Sequence, residues 1–271
     1  MIRFFTEWTQ FGFMRNAFAA IVIITPLFGL LGTMIVERKM AFFSDALGHS
    51  AWTGIALGVV AGLSDTSLSM LLFAAVFALL LNKLSSAGTA ANDTVISVFS
   101  SCSIAVGLAI LSKGGNFSQY SGLLVGDVLS ITKSEIGYLA LIFAVTLLFW
   151  TFGFNWLQAV SIHRSLAKSR HIPVRFMENL FAVLTALIVM ASIRWVGILI
   201  INALLILPAA ASRNLSQNLR EYHFFAVIFS IFSGIFGLII SYFINVATGP
   251  VIVILASIIY FSTFVYGSRI Q

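Results

Sequence analysis

Cysteine is all but missing from this sequence: Cys102 is the only one among 271 residues, so the chain can form no intrachain disulfide, thiolate metal cluster or redox pair. That residue reads as a small packed side chain. Charge is nearly as scarce, at 9% of residues against 60% hydrophobic, with a mean hydropathy of +1.04. A single water-soluble core cannot hide so much apolar surface, which leaves lipid as the solvent. Enzyme motifs are missing too. There is no His-Glu-x-x-His and no Gly-x-x-x-x-Gly-Lys-Ser/Thr phosphate loop, so neither zinc proteolysis nor ATP hydrolysis by this chain is expected. Gly126-Asp127 is preceded by Leu124 where an intramembrane aspartyl protease wants another Gly, and no convincing second catalytic Asp stands in the apolar runs. A nucleophilic serine with a partnered histidine is equally unsupported. The opening MIRFFTEWTQFGFM mixes acid and base into an aromatic stretch with no small-residue cleavage site, unlike a signal peptide, and is expected at the membrane interface.

What the chain has instead is apolar runs at regular intervals. A spanning helix needs about 20 mostly apolar residues. Nine stretches approach that length: 16–36, 41–63, 66–84, 94–111, 136–154, 176–193, 195–212, 222–244 and 250–266. An all-α, polytopic helical membrane protein of about nine spans is expected, with eight possible. No internal repeat, low-complexity tract or long linker divides the chain, so residues 1–271 read as one transmembrane domain. The formal charge of +6 does not point to nucleic acid, because the basic residues are scattered between spans with no aromatic-basic face. They orient the membrane. The longest polar interruption, 155–175, holds Arg164, Lys168, Arg170 and Arg175 with His163 and His171, and the positive-inside rule places it in the cytoplasm. By alternation Arg38, Lys39, Lys83, Arg213, Arg220 and Arg269 join it, while Arg3, Arg15, Lys113, Lys133 and Arg194 fall outside, a two-to-one bias. That arrangement puts the N-terminus outside.

Within the second span, Asp45 and His49 are the unusual pair. Their i, i+4 spacing sets both on one helical face, where a carboxylate oxygen and an imidazole nitrogen can converge on one cation. An ionisable group near the bilayer centre costs on the order of 2.5–3.5 kcal/mol, a cost that usually marks a pathway. The competing reading has Asp45 near the cytoplasmic end, paired with Arg38 or Lys39 and merely anchoring the helix. Two ligands are too few for a tight metal site, since zinc usually wants four and manganese more, with more oxygen. A two-fold dimer would double the set. Gly48, Gly54, Gly58 and Gly62 along the same helix permit close helix packing. Asn202, in a later span, is either a pore-lining amide or an interhelical hydrogen bond, and Pro208 is expected to kink or end its helix.

The run RKMAFFSDALGHSAWTGIALG, Arg38 to Gly58, resembles the signature helix of permease subunits of the bacterial zinc/manganese/iron ABC importers. That pattern is basic-basic-Met-Ala-x-x-Gly/Ser-Asp-Ala/Thr-x-x-His, followed by Gly-Val/Ile-Ala. LLVGDVLS, Leu123 to Ser130, and VGILIINALLILPAAASR, Val196 to Arg213, resemble two further elements of the same family in the expected order. The resemblance extends over about residues 15–266. It implies an importer permease in the cell (inner) membrane of a bacterium, working as a homodimer with cytoplasmic ATPase subunits and an extracytoplasmic metal-binding protein, in contact with lipid and not nucleic acid. It further implies that Asp45 and His49 are the metal ligands, that Zn2+ or Mn2+ is cargo, and that no cofactor is bound permanently. The segment SIHRSLAKSRHIP, Ser161 to Pro173, stands where the family has the helix that couples to the ATPase, with Ser165, Leu166, Ala167 and Lys168 as its centre. Here the sequence departs from the family, whose members often read Asp-Pro-Glu-Leu-Ala; only Leu166 and Ala167 match. A basic loop drawn to anionic lipid is the alternative.

Other transport classes remain open on these residues. A secondary transporter also uses intramembrane acids and would work without a partner. A siderophore or vitamin importer of related architecture is a third reading, weakened because Asp-x-x-x-His suits a bare cation better than a large organic ligand. The Ser44-Asp45 form leans toward zinc relatives.

Overall fold

The computed structural model describes residues 10–63, 65–87, 92–113, 120–124 and 126–267, among which the regular elements are helical and no strand occurs. The α-helices in chain order are α1 (Gly12–Glu37), α2 (Ala41–Val60), α3 (Ser67–Ala87), α4 (Asn92–Lys113), α5 (Lys133–Ile162), α6 (Arg164–Ser169), α7 (Val174–Val196), α8 (Ile198–Arg213), α9 (Leu219–Ile244) and α10 (Thr248–Gly267), with 3-10 turns at Ser121–Leu124 and Val128–Ser130. The all-α expectation holds. The expected count of nine spans is corrected: among the described residues, seven helices are long and apolar enough to cross a membrane, namely α1, α3, α4, α5, α7, α9 and α10. The other two expected spans are helices that miss those criteria for different reasons. Over its 20 residues α2 carries Ser44, Asp45, His49, Ser50 and Thr53, which lower its hydropathy. Helix α8 has 16 residues, about 24 Å at 1.5 Å per residue, short of a hydrocarbon layer of about 30 Å. Both helices are largely enclosed by protein, where a lipid-compatible surface is not required.

Two compact units make up the chain. The first comprises Met1–Lys39, Leu123–Ala144 and Arg194–Gln271. In it α1 packs on α8 and α9, and α8, α9 and α10 pack on one another. Apolar side chains recur every three or four residues along α1, so Met14, Ala17, Ile21, Ile24, Phe28, Leu31 and Ile35 bury one broad face. Polar side chains tie these helices where backbone carbonyls are within reach. Ser230 Oγ donates to the Thr25 carbonyl at 2.7 Å and Tyr222 Oη to that of Thr33 at 3.2 Å. The Thr33 hydroxyl donates to the Leu30 carbonyl at 2.6 Å, so it accepts from His223 Nδ1 at 2.8 Å. Between α7 and α8, Gly197 adopts φ 84° and ψ 153°, a conformation open essentially to glycine alone, and the chain restarts as a new helix. Pro208 lies inside α8, which continues five residues beyond it to Arg213.

The second unit comprises Met40–Gly122 and Val145–Ile193. Here α2 packs on α3 and α4. The glycine spacing noted in the sequence serves this packing: a Cβ on Gly54 would stand 2.8 Å from Met70 Cα. Helix α5 runs on to Ile162, past the break expected at Asn155, because Leu157 and Val160 fall at helical spacing among the polar residues and are buried. What remains between spans is the short helix α6 and its flanks.

Candidate functional site

Asp45 and His49 project from α2 one turn apart, with His49 Nε2 3.4 Å from Asp45 Oδ1. Their side chains are 47% and 31% exposed respectively, whereas Phe43, Ser44, Ala46, Leu47, Gly48 and Ser50 around them are buried. The open side of α2 thus runs along Phe42, Asp45 and His49, closes over Trp52 to Ala56, and reopens at Leu57. Closure has a specific cause. A Cβ on Gly107 of α4 would lie 2.6 Å from the Thr53 amide nitrogen, so the two backbones touch there.

The spacing of the pair has chemical content. Zinc–ligand distances of about 2.0–2.2 Å put adjacent corners of a tetrahedron roughly 3.3–3.6 Å apart, and the 3.4 Å separation falls within that edge length. An imidazole nitrogen and a carboxylate oxygen suit zinc, manganese or ferrous iron alike. Among the described residues no group of three or more His, Cys, Asp and Glu side chains converges. Within that set, the Asp45–His49 separation matches the spacing of two corners of a coordination shell.

The segment expected to couple to an ATPase forms a separate feature of the second unit. Helix α6 ends in a Schellman-type cap: His171 takes φ 62°, its N–H donates to the Lys168 carbonyl at 3.0 Å, and the Ile172 N–H donates to that of Ala167 at 3.1 Å. Ala167 is buried in a small apolar cluster with Val160 and Val174, flanked by Ala159 and Ile172. Arg164 Nη2 pairs with Glu178 Oε2 at 2.7 Å, pinning the start of α6 to α7. Ser165, Leu166 and Lys168 are left facing out, Leu166 with 55% of its surface exposed.

The two other recognised motifs meet in the first unit. Gly126, at φ +71°, lies against the backbone of Val196 and Gly197, and Asp127 accepts the Leu129 N–H at 3.1 Å, capping the 3-10 turn that follows. Asp127 therefore has a local structural role. Asn202 is half-buried on α8. Buried between α2 and α4, Thr53 and Ser103 are hydrogen-bonded to each other. Thr53 continues the four-residue spacing from His49, a usable signal, but nothing in the sequence links it to Ser103.

Residues 10–267 match the family described as the ABC 3 transport family. A manganese transport system membrane protein, MntC, of Listeria innocua is 26% identical over 96% of this chain and 92% of its own length. A high-affinity zinc uptake system membrane protein, ZnuB, of Haemophilus influenzae is 28% identical over 88% and 92%. Among solved structures, PsaBC from Streptococcus pneumoniae in complex with Fab superposes with a TM-score of 0.85 at 28% identity, covering 97% of this chain and 95% of that one.

Proposed function

The chain belongs to the ABC 3 transport family, and from that premise we propose that it is the permease subunit of an ATP-driven importer carrying zinc or manganese into the cell. It is a multi-pass membrane protein. Relatives named for zinc and for manganese transport support the cargo class. The observation that carries the reading is the Asp45–His49 pair at 3.4 Å on the open side of α2, a geometry matched to a bare cation. A second copy of the chain doubles the ligands to two Asp and two His, the number that tetrahedral zinc takes. Energy comes from cytoplasmic ATPase subunits, because the sequence has no phosphate loop of its own. Those subunits seat on α6 through the outward-facing Ser165, Leu166 and Lys168, with Ala167 of the same segment anchoring the helix from beneath, and an extracytoplasmic metal-binding protein delivers the ion. Residues 1–271 act as one permease domain.

Radiometal uptake in cells at matched membrane expression tests the site. Asp45→Asn and His49→Ala abolish zinc and manganese uptake while the protein remains folded in the membrane. Wild-type uptake by both variants would discard the ligand assignment.

A further inference from the structure

Three hydroxyl side chains on α2 have described hydrogen bonds, and two of them bond within their own helix: Ser44 Oγ donates to the Ala41 carbonyl at 2.9 Å and Ser50 Oγ to that of Leu47 at 2.8 Å. This is the usual arrangement for a hydroxyl in a membrane helix. Thr53 does otherwise. Its Oγ1 donates across to the Ser103 carbonyl of α4 and, with its proton so used, accepts from Ser103 Oγ at 2.9 Å. Both residues are buried, 6% and 7% exposed. The crossing is also where Gly107 brings the α4 backbone against Trp52 and Thr53. A close backbone contact fixes mainly the distance between two helices. A directed hydrogen bond adds a constraint on how each is turned about its own axis.

Thr53 follows His49 by four residues, as His49 follows Asp45. The clasp therefore acts one turn from the ligand pair and on the same helix. We infer that Thr53 and Ser103 are positioning residues for the transported cation: the Thr53–Ser103 clasp sets the rotation of α2 and so the direction in which Asp45 and His49 present their ligand atoms. This rests on the assignment of those two residues as ligands. A rotation of α2 carries both side chains around the helix axis together, so it changes the aim of the pair while preserving its spacing. The expected signature is a change in how tightly the cation is taken up, with the maximal rate per permease preserved.

Thr53→Val keeps the branched shape and removes the hydroxyl, while Thr53→Ser keeps the hydroxyl. Full-length permease, co-expressed with its ATPase and binding protein, is assayed for Zn2+ and Mn2+ uptake beside Asp45→Asn. The half-saturating concentration for Thr53→Val rises about tenfold, a 1.4 kcal/mol effect, at an unchanged maximal rate, and Thr53→Ser restores the wild-type value. A second measurement reads orientation directly: in a Cys102→Ser, His49→Cys protein, the rate of thiol modification by a water-soluble reagent shifts several-fold on adding Thr53→Val. That rate is a property of each molecule, so it decides the matter even if the variant accumulates poorly. Wild-type half-saturation and an unchanged labelling rate, with Asp45→Asn inactive, would overturn the positioning role alone. Normal uptake by Asp45→Asn would remove the ligand assignment and this inference with it.

Discussion

Gly126 rests on Gly197 with no room for a side chain between them: a Cβ on Gly126 would stand 2.3 Å from the Gly197 amide nitrogen and 2.4 Å from the Val196 carbonyl carbon. Both glycines also hold positive φ, at 71° and 84°. The contact joins the end of LLVG to the start of VGILI, two sequence runs far apart in the chain. It lies where α7 stops and α8 begins, so it holds the helix break in place. Backbone opposing backbone leaves no rotamer that could relieve a clash.

Gly126→Ala is therefore expected to cost about 3 kcal/mol or more, combining overpacking with left-handed strain. Gly122→Ala is the control, since a Cβ there meets nothing within 4 Å. Thermal unfolding of purified protein in detergent checks this. Equal midpoints for the two variants would contradict the packing account.

Much of this architecture was legible in the sequence because lipid leaves few options: apolar runs of spanning length become helices when backbone groups have no water to bond. The two helices that broke the count, α2 and α8, do so because they are enclosed by protein and answer to a different solvent. The Asp45–His49 pair was visible for a local reason, the four-residue repeat of a helix face. The pairing of Thr53 with Ser103 was not, because a contact 50 residues apart leaves no local trace. The polar run at Asn155 misled for the reverse reason. Its polar residues alternate with Leu157 and Val160, and the buried pair decides the conformation.

Replacing the softer of the two proposed ligands tests cargo chemistry. His49→Asp exchanges an imidazole for a second carboxylate, and carboxylate oxygen favours manganese relative to zinc. Uptake of zinc is expected to fall by a larger factor than uptake of manganese, by about tenfold in the ratio. Dual-isotope uptake from a mixture measures that ratio in one sample. An unchanged ratio would show that selectivity is set before the ion reaches α2.

Orientation can be tested at α6, whose basic residues supply the strongest inside signal. In a Cys102→Ser background, Leu166→Cys presents a thiol on an exposed position without touching the buried cluster below it. An impermeant maleimide is expected to label it only after the cell is opened. Labelling from the outside of intact cells would reverse the assigned topology.

The two neighbours Leu166 and Ala167 separate docking from folding, because α6 leaves the first exposed and buries the second. Leu166 is 55% exposed and Ala167 is 1% exposed, packed on Val160 and Val174. If α6 is where the ATPase docks, Leu166→Glu should leave the permease folded, since that side chain supports nothing beneath it, yet weaken recovery of the ATPase and depress uptake. The alternative, a basic loop drawn to anionic lipid, makes a related demand: lowering the positive charge weakens membrane contact by about 1 kcal/mol per charge. Leu166→Gln removes that ambiguity by deleting the apolar contact without altering charge. Ala167→Glu forces a carboxylate into the apolar cluster and is expected to lower thermal stability by several kcal/mol. Co-purification of the ATPase, ATP hydrolysis by the complex and unfolding midpoints are measured on all three. Docking requires Leu166→Gln and Leu166→Glu to lose the ATPase at wild-type stability, with Ala167→Glu losing stability first. Full ATPase recovery by Leu166→Gln, with uptake reduced only in Leu166→Glu, would assign α6 to lipid instead.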